Sequence, residues 1–206
     1  MVEARRKMAA ILSTDVAGYS RLMEDDAAAT VETLTKFREI FRGGIARHQG
    51  RVVDAPGDNL LAEFASPIEA VECAVEVQRE LFRRNRQLAE HRRMEFRIGI
   101  NLGDVLEQDG ALFGDGVNIA ARLEGLAEPG GICVSGKIYE EIEGKLDLAC
   151  EAFGEHEVKN IAKPVPVYRV ALEAGSAPAK PPARRGPQPG LIAAAVAVVV
   201  VAGIAV

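Results

Sequence analysis

The chain changes in kind at residue 173, and that break confines any globular fold to what precedes it. Residues 173–190 read EAGSAPAKPPARRGPQPG, with five of the chain's ten prolines and no large apolar side chain. Such a stretch has nothing to bury and reads as an extended, solvated linker. Residues 191–206 then run LIAAAVAVVVVAGIAV, sixteen residues without a polar side chain. A membrane-crossing helix needs about 20 apolar residues, and roughly 17 can suffice. The segment is expected to be transmembrane, either truncated or a short tail anchor. A buried element of the domain is disfavoured, because the proline-rich linker isolates it. Arg184 and Arg185 just before it predict a cell-membrane protein with its domain on the cytoplasmic side.

Residues 1–172 are enough for one domain with a real core. Apolar residues make up 48% of the chain and charged residues 27%, an ordinary globular balance. The chain carries −5. The linker holds Lys180, Arg184 and Arg185 against Glu173, so removing its +2 leaves −7 on the domain. An acidic domain is a poor general binder of nucleic acid. Without Trp, and with only 5% aromatics, base-stacking platforms are not expected either. Cys73, Cys133 and Cys150 are an odd, widely spaced set with no CxxC pair, which excludes zinc and redox motifs. Cys73 and Cys133 sit among apolar neighbours and read as small buried hydrophobes in a reducing compartment. Met1–Lys7 is charged and is not expected to begin a secretory signal.

Periodicity sets the element order. Met8–Leu12 is a short apolar run ending at Ser13-Thr14-Asp15, a buried strand that stops at a turn. Val31, Leu34, Phe37, Phe41 and Ile45 recur at helical steps up to His48-Gln49-Gly50. Residues 51–54 and 59–64 flank Pro56-Gly57 as a hairpin. Ser66-Pro67-Ile68-Glu69 opens a helix with Ser66 as cap and Glu69 closing the box. Ile68, Val71, Ala74, Val75, Leu81 and Phe82 form its buried stripe. Phe96, Ile98 and Ile100 alternate as a strand. Asp115 is expected to cap a third helix, and 132–134 and 165–170 to be late strands. The order β-α-β-β-α-β-α-β predicts an α+β layer with helices on one side of a sheet.

Acids at strand ends are the informative chemistry. Asp15 ends the first strand and Asp58 lies in the hairpin. Magnesium takes one or two protein carboxylates and completes its shell with water and substrate phosphate. Val16-Ala17-Gly18-Tyr19-Ser20 leads into a helix whose first amides could cradle a triphosphate. From position alone each acid is more simply a turn residue. Asn118 and Arg122 lie four apart on one helical face, where an amide and a guanidinium could hold a polyphosphate. An exposed Arg122 paired with Glu124 is the plainer alternative on spacing.

Four stretches together resemble one family. They are 13–20 (STDVAGYS), 56–64 (PGDNLLAEF), 96–101 (FRIGIN) and 114–122 (GDGVNIAAR), with 158–161 (VKNI) and 163–165 (KPV) further on. Their order over residues 9–170 resembles the catalytic domain of class III adenylate/guanylate cyclases, of the bacterial membrane-anchored type. The resemblance implies a ferredoxin-like fold with a central, mostly antiparallel sheet. It implies conversion of ATP to 3′,5′-cyclic AMP and pyrophosphate. Two Mg²⁺ or Mn²⁺ per active site would be held by Asp15 and Asp58, with the Val16 carbonyl as an extra ligand. Gly18, Tyr19 and Ser20 would line the phosphates. Asn118 would orient the ribose, Arg122 would stabilise the transferring phosphate, and Lys159, or nearby Lys163, would bind the terminal phosphates. A homodimer is implied, with the acids from one chain and Asn118 and Arg122 from the other.

The chain departs from the family at the base-selecting positions. Adenylate cyclases of the common type use Lys and Asp or Thr there, guanylate cyclases Glu and Cys; this sequence has Asp54 and Ala111. An ionised Asp54 only accepts hydrogen bonds, and Ala111 reads nothing. ATP is the expected substrate, since bacterial relatives vary here and still use it. GTP is the alternative, and a non-catalytic nucleotide-binding or dimerisation module the alternative of another class. A phosphodiesterase or polymerase-like palm shares the topology but does not explain Asn118 with Arg122 on one helix.

Overall fold

The computed structural model describes residues 4–158, 161 and 163–172. The expected linker, the apolar segment 191–206 and Lys159 lie outside the described residues. Strand β1 (Arg5–Val16) leads into helix α1 (Tyr19–Arg47). The hairpin β2 (Arg51–Asp54) and β3 (Leu60–Phe64) follows, then α2 (Pro67–Asn85), and β4 (Phe96–Gln108) with β5 (Ala111–Phe113). Helix α3 (Asp115–Leu126), β6 (Ile132–Ser135), α4 (Gly136–Ile142), β7 (Cys150–His156) and β8 (Val165–Val170) complete the order.

All eight strands form one sheet in the order β2-β3-β1-β4-β6-β8-β7, with β5 paired to β4. Every pairing is antiparallel except β4 with β6. The mostly antiparallel expectation holds. The expectation of helices on one side does not. Ala9, Ala10, Ile11 and Leu12 of the central strand are all at most 4% exposed, so both faces of β1 need cover. Ala10 and Leu12 pack with Phe37 and Phe41 of α1, Val71 and Leu81 of α2 and Ile138 of α4. Ala9 and Ile11 pack with Ala120 of α3 on the other face. That second face continues through Leu123, Ala127, Cys133 and Val167. Phe41 and Phe96 meet at 5.0 Å, tilted 58°, and fasten α1 to β4.

Helix α3 sits on β4 almost backbone to backbone. A Cβ on Gly99 would lie 2.2 Å from the Ala120 carbonyl oxygen and 2.2 Å from the Glu124 nitrogen. Only glycine permits that approach. The contact fixes where Glu124 enters the sheet face.

Three expected core side chains lie outside it. Met8 is 56% exposed, because β1 outruns the helices that cover its middle. Val31 is 49% exposed. Helix α1 kinks at Asp26, whose carboxylate caps the second segment by accepting from the Ala29 amide. Thr30 then turns inward and donates to the Leu22 carbonyl across the kink at 2.8 Å. Phe82 is 62% exposed; Leu81 takes the inward place, and Asn85 exchanges hydrogen bonds with the Met94 backbone.

Two caps also differ. Ser66 accepts from the Glu69 amide, but the Glu69 carboxylate leaves the box for His48. Asp115 does not cap α3: Gly114 is the N-cap and Asp115 the first helical residue, where an acid still favours the dipole. Strands β5 and β7 and helix α4 had no periodic signal long enough to read. Asp109-Gly110 was a legible hairpin turn: both have positive φ, and Gln108 pairs with Ala111 across it.

Candidate active site

The first site residues lie where β1 ends. Asp15 stands directly opposite Arg97 in the β1–β4 register, on the sheet face that α3 covers. Its side chain is only 16% exposed. Arg97 grips it with a fork: Nε donates to Oδ1 at 2.9 Å, and Nη2 donates to Oδ2. That pairing is the largest cause holding the guanidinium's pKa above its ordinary value, with the Asp15, Glu124 and Asp58 charges adding to it. Glu124 reaches the same place from α3. Its carboxylate accepts from Ser13 Oγ at 2.6 Å. Burial pushes its pKa up to about 7; the Ser13 bond opposes this, and the charges of Asp15 and Asp58 add to it. Asp15 and Asp58 thus share one electrostatic neighbourhood. Neither Arg97 nor Glu124 was legible as a site residue. Arg97 read as the polar position of an alternating strand, and only strand register puts it on Asp15.

Asp58 is held from below. Its turn carries the Asn59 amide bond to the Pro56 carbonyl at 3.0 Å. Arg38, half a helix away on α1, donates to the carbonyls of Ala55 (3.0 Å), Gly57 and Asn59 (3.3 Å). This clamp was also missed, since an arginine on an outward helical face gives no local signal.

Val16 is buried at the end of β1, and the Ala17 amide turns back to the Glu95 carbonyl at 2.9 Å. Gly18 adopts φ 70° and caps α1 without a side-chain bond. Tyr19 and Ser20 form the first turn, whose amides have no intrahelical acceptor. The expected phosphate-lining stretch therefore abuts the acids at a helix N-terminus.

Among the described residues the other expected ones form no ion pair with these acids. Asn118 and Arg122 are exposed on α3, while Gly116, Ala120, Leu123 and Glu124 face inward. Among the described residues Arg122 forms no salt bridge, and Glu124 is turned to Ser13 instead. Lys163 lines a cavity of about 630 Å³ with Gly114, Asp115 and Ile119 of the α3 start and Lys137 of α4. Asp54 is exposed at the end of β2, its carboxylate bonded to the Ala55 amide at 2.8 Å. Ala111 begins β5. Arg51 ties the two strands, donating to the Gly110 carbonyl at 3.0 Å and to Glu63 and Glu107.

The donor chemistry fits a hard divalent cation: two carboxylates at neighbouring strand ends, beside a helix N-terminus suited to phosphate. Among the described residues one set of three potential ligands has donor atoms mutually within 4.8 Å, namely His48, Glu69 and Glu72. Two of its members, His48 and Glu69, are already engaged in an ionic clasp with Glu76. His48 Nδ1 is 2.9 Å from Glu69 and Nε2 2.9 Å from Glu76, which leaves the imidazole no free nitrogen. Cys73 and Cys133 are buried free thiols, as expected, and burial pushes them up to about 12 and about 11.

Residues 1–171 match the Adenylate and Guanylate cyclase catalytic domain family. A Rhizobium meliloti (strain 1021) protein named "Putative adenylate cyclase 3" is 47% identical over 165 residues, which cover 80% of this chain and 28% of that protein. The chain thus spans little more than a quarter of that curated relative. Among solved structures, an adenylate/guanylate cyclase/hydrolase from Silicibacter pomeroyi superimposes with TM-score 0.77 at 38% identity, covering 82% of this chain and 98% of that one. The adenylyl cyclase CyaB of P. aeruginosa shares the fold with TM-score 0.73 at 23% identity, over 82% and 96% of the two chains. The strand-end acids, the glycine-seated α3 and the matched span agree: the chain belongs to the adenylate and guanylate cyclase catalytic domain family.

Proposed function

We propose that the chain converts ATP to 3′,5′-cyclic AMP and pyrophosphate at sites shared between two copies. The observation that carries this is the two-sidedness of α3, whose buried Glu124 faces the acids while Asn118 and Arg122 face outward. Asp15 and Asp58 both act on Glu124 from the side of the sheet that α3 covers, while Asn118 and Arg122 lie on the exposed face of α3, Arg122 without a salt bridge among the described residues. Each chain therefore offers two half-sites that a two-fold arrangement would join. Met8, Leu106 and Phe113 are exposed apolar side chains on one face of the sheet, the kind of surface a second copy covers.

In the reaction the ribose 3′-oxygen bonds to the α-phosphorus, the bond to the β-phosphate oxygen breaks, pyrophosphate leaves, and the hydroxyl proton passes to solvent. Two Mg²⁺ or Mn²⁺ would lower the 3′-hydroxyl pKa and neutralise the triphosphate. Asp15, Asp58 and the Val16 carbonyl would hold them. The amides of Gly18, Tyr19 and Ser20 would bind phosphate oxygens. Asn118 from the second copy would orient the ribose, and Arg122 would meet charge on the transferring phosphate. Lys159, or Lys163 at the cavity beside α3, would bind the terminal phosphates. Asp54 and Ala111 would flank the base. ATP is the proposed substrate; Asp54 as a pure acceptor suits the adenine 6-amino group and also guanine's N1–H and 2-amino group.

The decisive experiment mixes two dead variants. Asp15→Ala and Arg122→Ala should each abolish turnover. Co-expressed chains assort at random, half the dimers pair one of each, and each such dimer holds one whole site of two. Activity of about 25% should return. No recovery overturns the shared site. Comparable cyclic GMP from GTP would move the substrate to the guanylate alternative. ATP binding without turnover in the wild type would favour the non-catalytic module. We further propose that residues 191–206 tether the domain to a membrane through the 173–190 linker. Among the described residues no helix is long and apolar enough to cross one. Alkaline extraction of membranes expressing the full chain should leave it in the pellet, and release would reject the tether.

A further inference from the structure

The fork from Arg97 uses both oxygens of Asp15, the carboxylate that the proposed function assigns to a metal. A carboxylate only 16% exposed, with Asp58 and Glu124 close by, is costly without a counter-charge. Arg97 supplies one from the directly opposite register position, so no local unfolding is needed to form the pair. The guanidinium also feels Glu124, which hangs from α3 over the same sheet face and is fixed by Ser13. Arg97 therefore has a second anion within its own neighbourhood.

We propose that Arg97 is a positioning residue that serves as the resident cation of Asp15 in the metal-free chain and yields that carboxylate on loading, turning toward Glu124. Metal affinity is then set by competition: the chain gives up a charge-assisted fork each time Asp15 takes a cation. The inference rests on the reading of Asp15 and Asp58 as a metal pair.

The test titrates the full chain with Mn²⁺ alone, without nucleotide, reading free Mn²⁺ by electron paramagnetic resonance and stability by thermal melts in chelator. Arg97→Gln should melt lower without metal yet bind Mn²⁺ about tenfold more tightly, because the competitor is gone. Arg97→Lys, which keeps the charge but loses the fork, should fall between. It carries the test if the glutamine variant does not fold. A merely structural arginine predicts the opposite sign, since a loosened site binds metal less well. Mn²⁺ binding that Asp58→Ala abolishes, but that Arg97→Gln and Arg97→Lys leave equal or weaker, overturns the inference alone. No Mn²⁺ binding by the wild type, or binding indifferent to Asp58→Ala, overturns the metal reading beneath it.

Discussion

The acid end of β1 and the outer face of α3 are built on opposite plans. At the first, the polar groups are tied inside the chain: Asp15 pairs with Arg97, Glu124 accepts from Ser13, and Arg38 holds the backbone of the Asp58 turn. At the second, Asn118 and Arg122 stand in solvent and Arg122 has no ionic partner among the described residues. Carboxylates clustered at low exposure repel one another and need internal compensation before any ligand arrives. An exposed guanidinium is fully hydrated and needs none. The first region is thus tied into its own protomer, while the second leaves its polar side chains to solvent; on the proposed function each would be half of a shared site.

The strongest way to break the comparison is to unseat the element both regions share. Gly99→Ala would place a methyl 2.2 Å from two backbone atoms of α3, which cannot rotate away as a side chain could. Overpacking of this kind costs about 3 kcal/mol or more, or roughly 6–12 °C in Tm for a domain of this size. Glu124 and Arg122 move together in that variant, so turnover should vanish with the stability. A melt within 2 °C of the wild type would show that α3 is not rigidly seated.

Arg38→Ala tests the acid region alone. It frees three carbonyls of the turn that carries Asp58 and leaves α3 untouched. Misplacement by a fraction of an ångström should lower turnover ten- to a hundredfold, with faster amide exchange confined to residues 55–60. Unchanged turnover would mean that β3 pairing alone sets Asp58.

How much of this was legible follows from range. The hairpin at Pro56-Gly57 and the Ser66-Pro67 helix start announced themselves, because turn and cap chemistry act within a few residues. Asp15, Asp58, Asn118 and Arg122 were legible as motif positions. Arg97 and Glu124 were not, because their meaning comes from partners 82 and 111 residues away. The side of the sheet that α3 covers was equally hidden: a run apolar at every position, such as Ala9–Leu12, says that both faces are buried but not by what. The exposed Val31 shows the converse failure, a periodic pattern reset by a kink that one aspartate and one threonine hydroxyl create.

Glu124→Gln sharpens the comparison through pH. In metal-free protein the Glu124 carboxyl titrates near about 7, raised above its ordinary value first by burial. The folded state then holds a proton that the unfolded chain has released, so its contribution is present below about 4.5 and lost as pH rises through about 7. Glutamine keeps the polar contact to Ser13 without the charge. The variant should match the wild type near pH 4.5 and melt a few degrees higher at pH 8, where roughly 1 kcal/mol corresponds to 2–4 °C. A difference in Tm that stays constant across that range would mean the charge of Glu124 is solvated.

The smallest effect belongs to a site remote from both regions. His48 lies at the opposite end of α1 from Gly18, with Glu69 and Glu76 on its two ring nitrogens. Partial burial pulls its pKa down, but the hydrogen bonds to Glu76 and Glu69 outweigh it and the net shift is upward. For a raised base the sign reverses: the stabilisation is whole below about 6.5 and fades as pH rises through the folded value. His48→Gln should therefore lower Tm by roughly 2 °C at pH 6 and by less at pH 8. Mn²⁺ affinity should not change. If it does, the clasp between α1 and α2 transmits to Gly18 and Asp15, and the acid end of β1 is less self-contained than its own ion pairs make it.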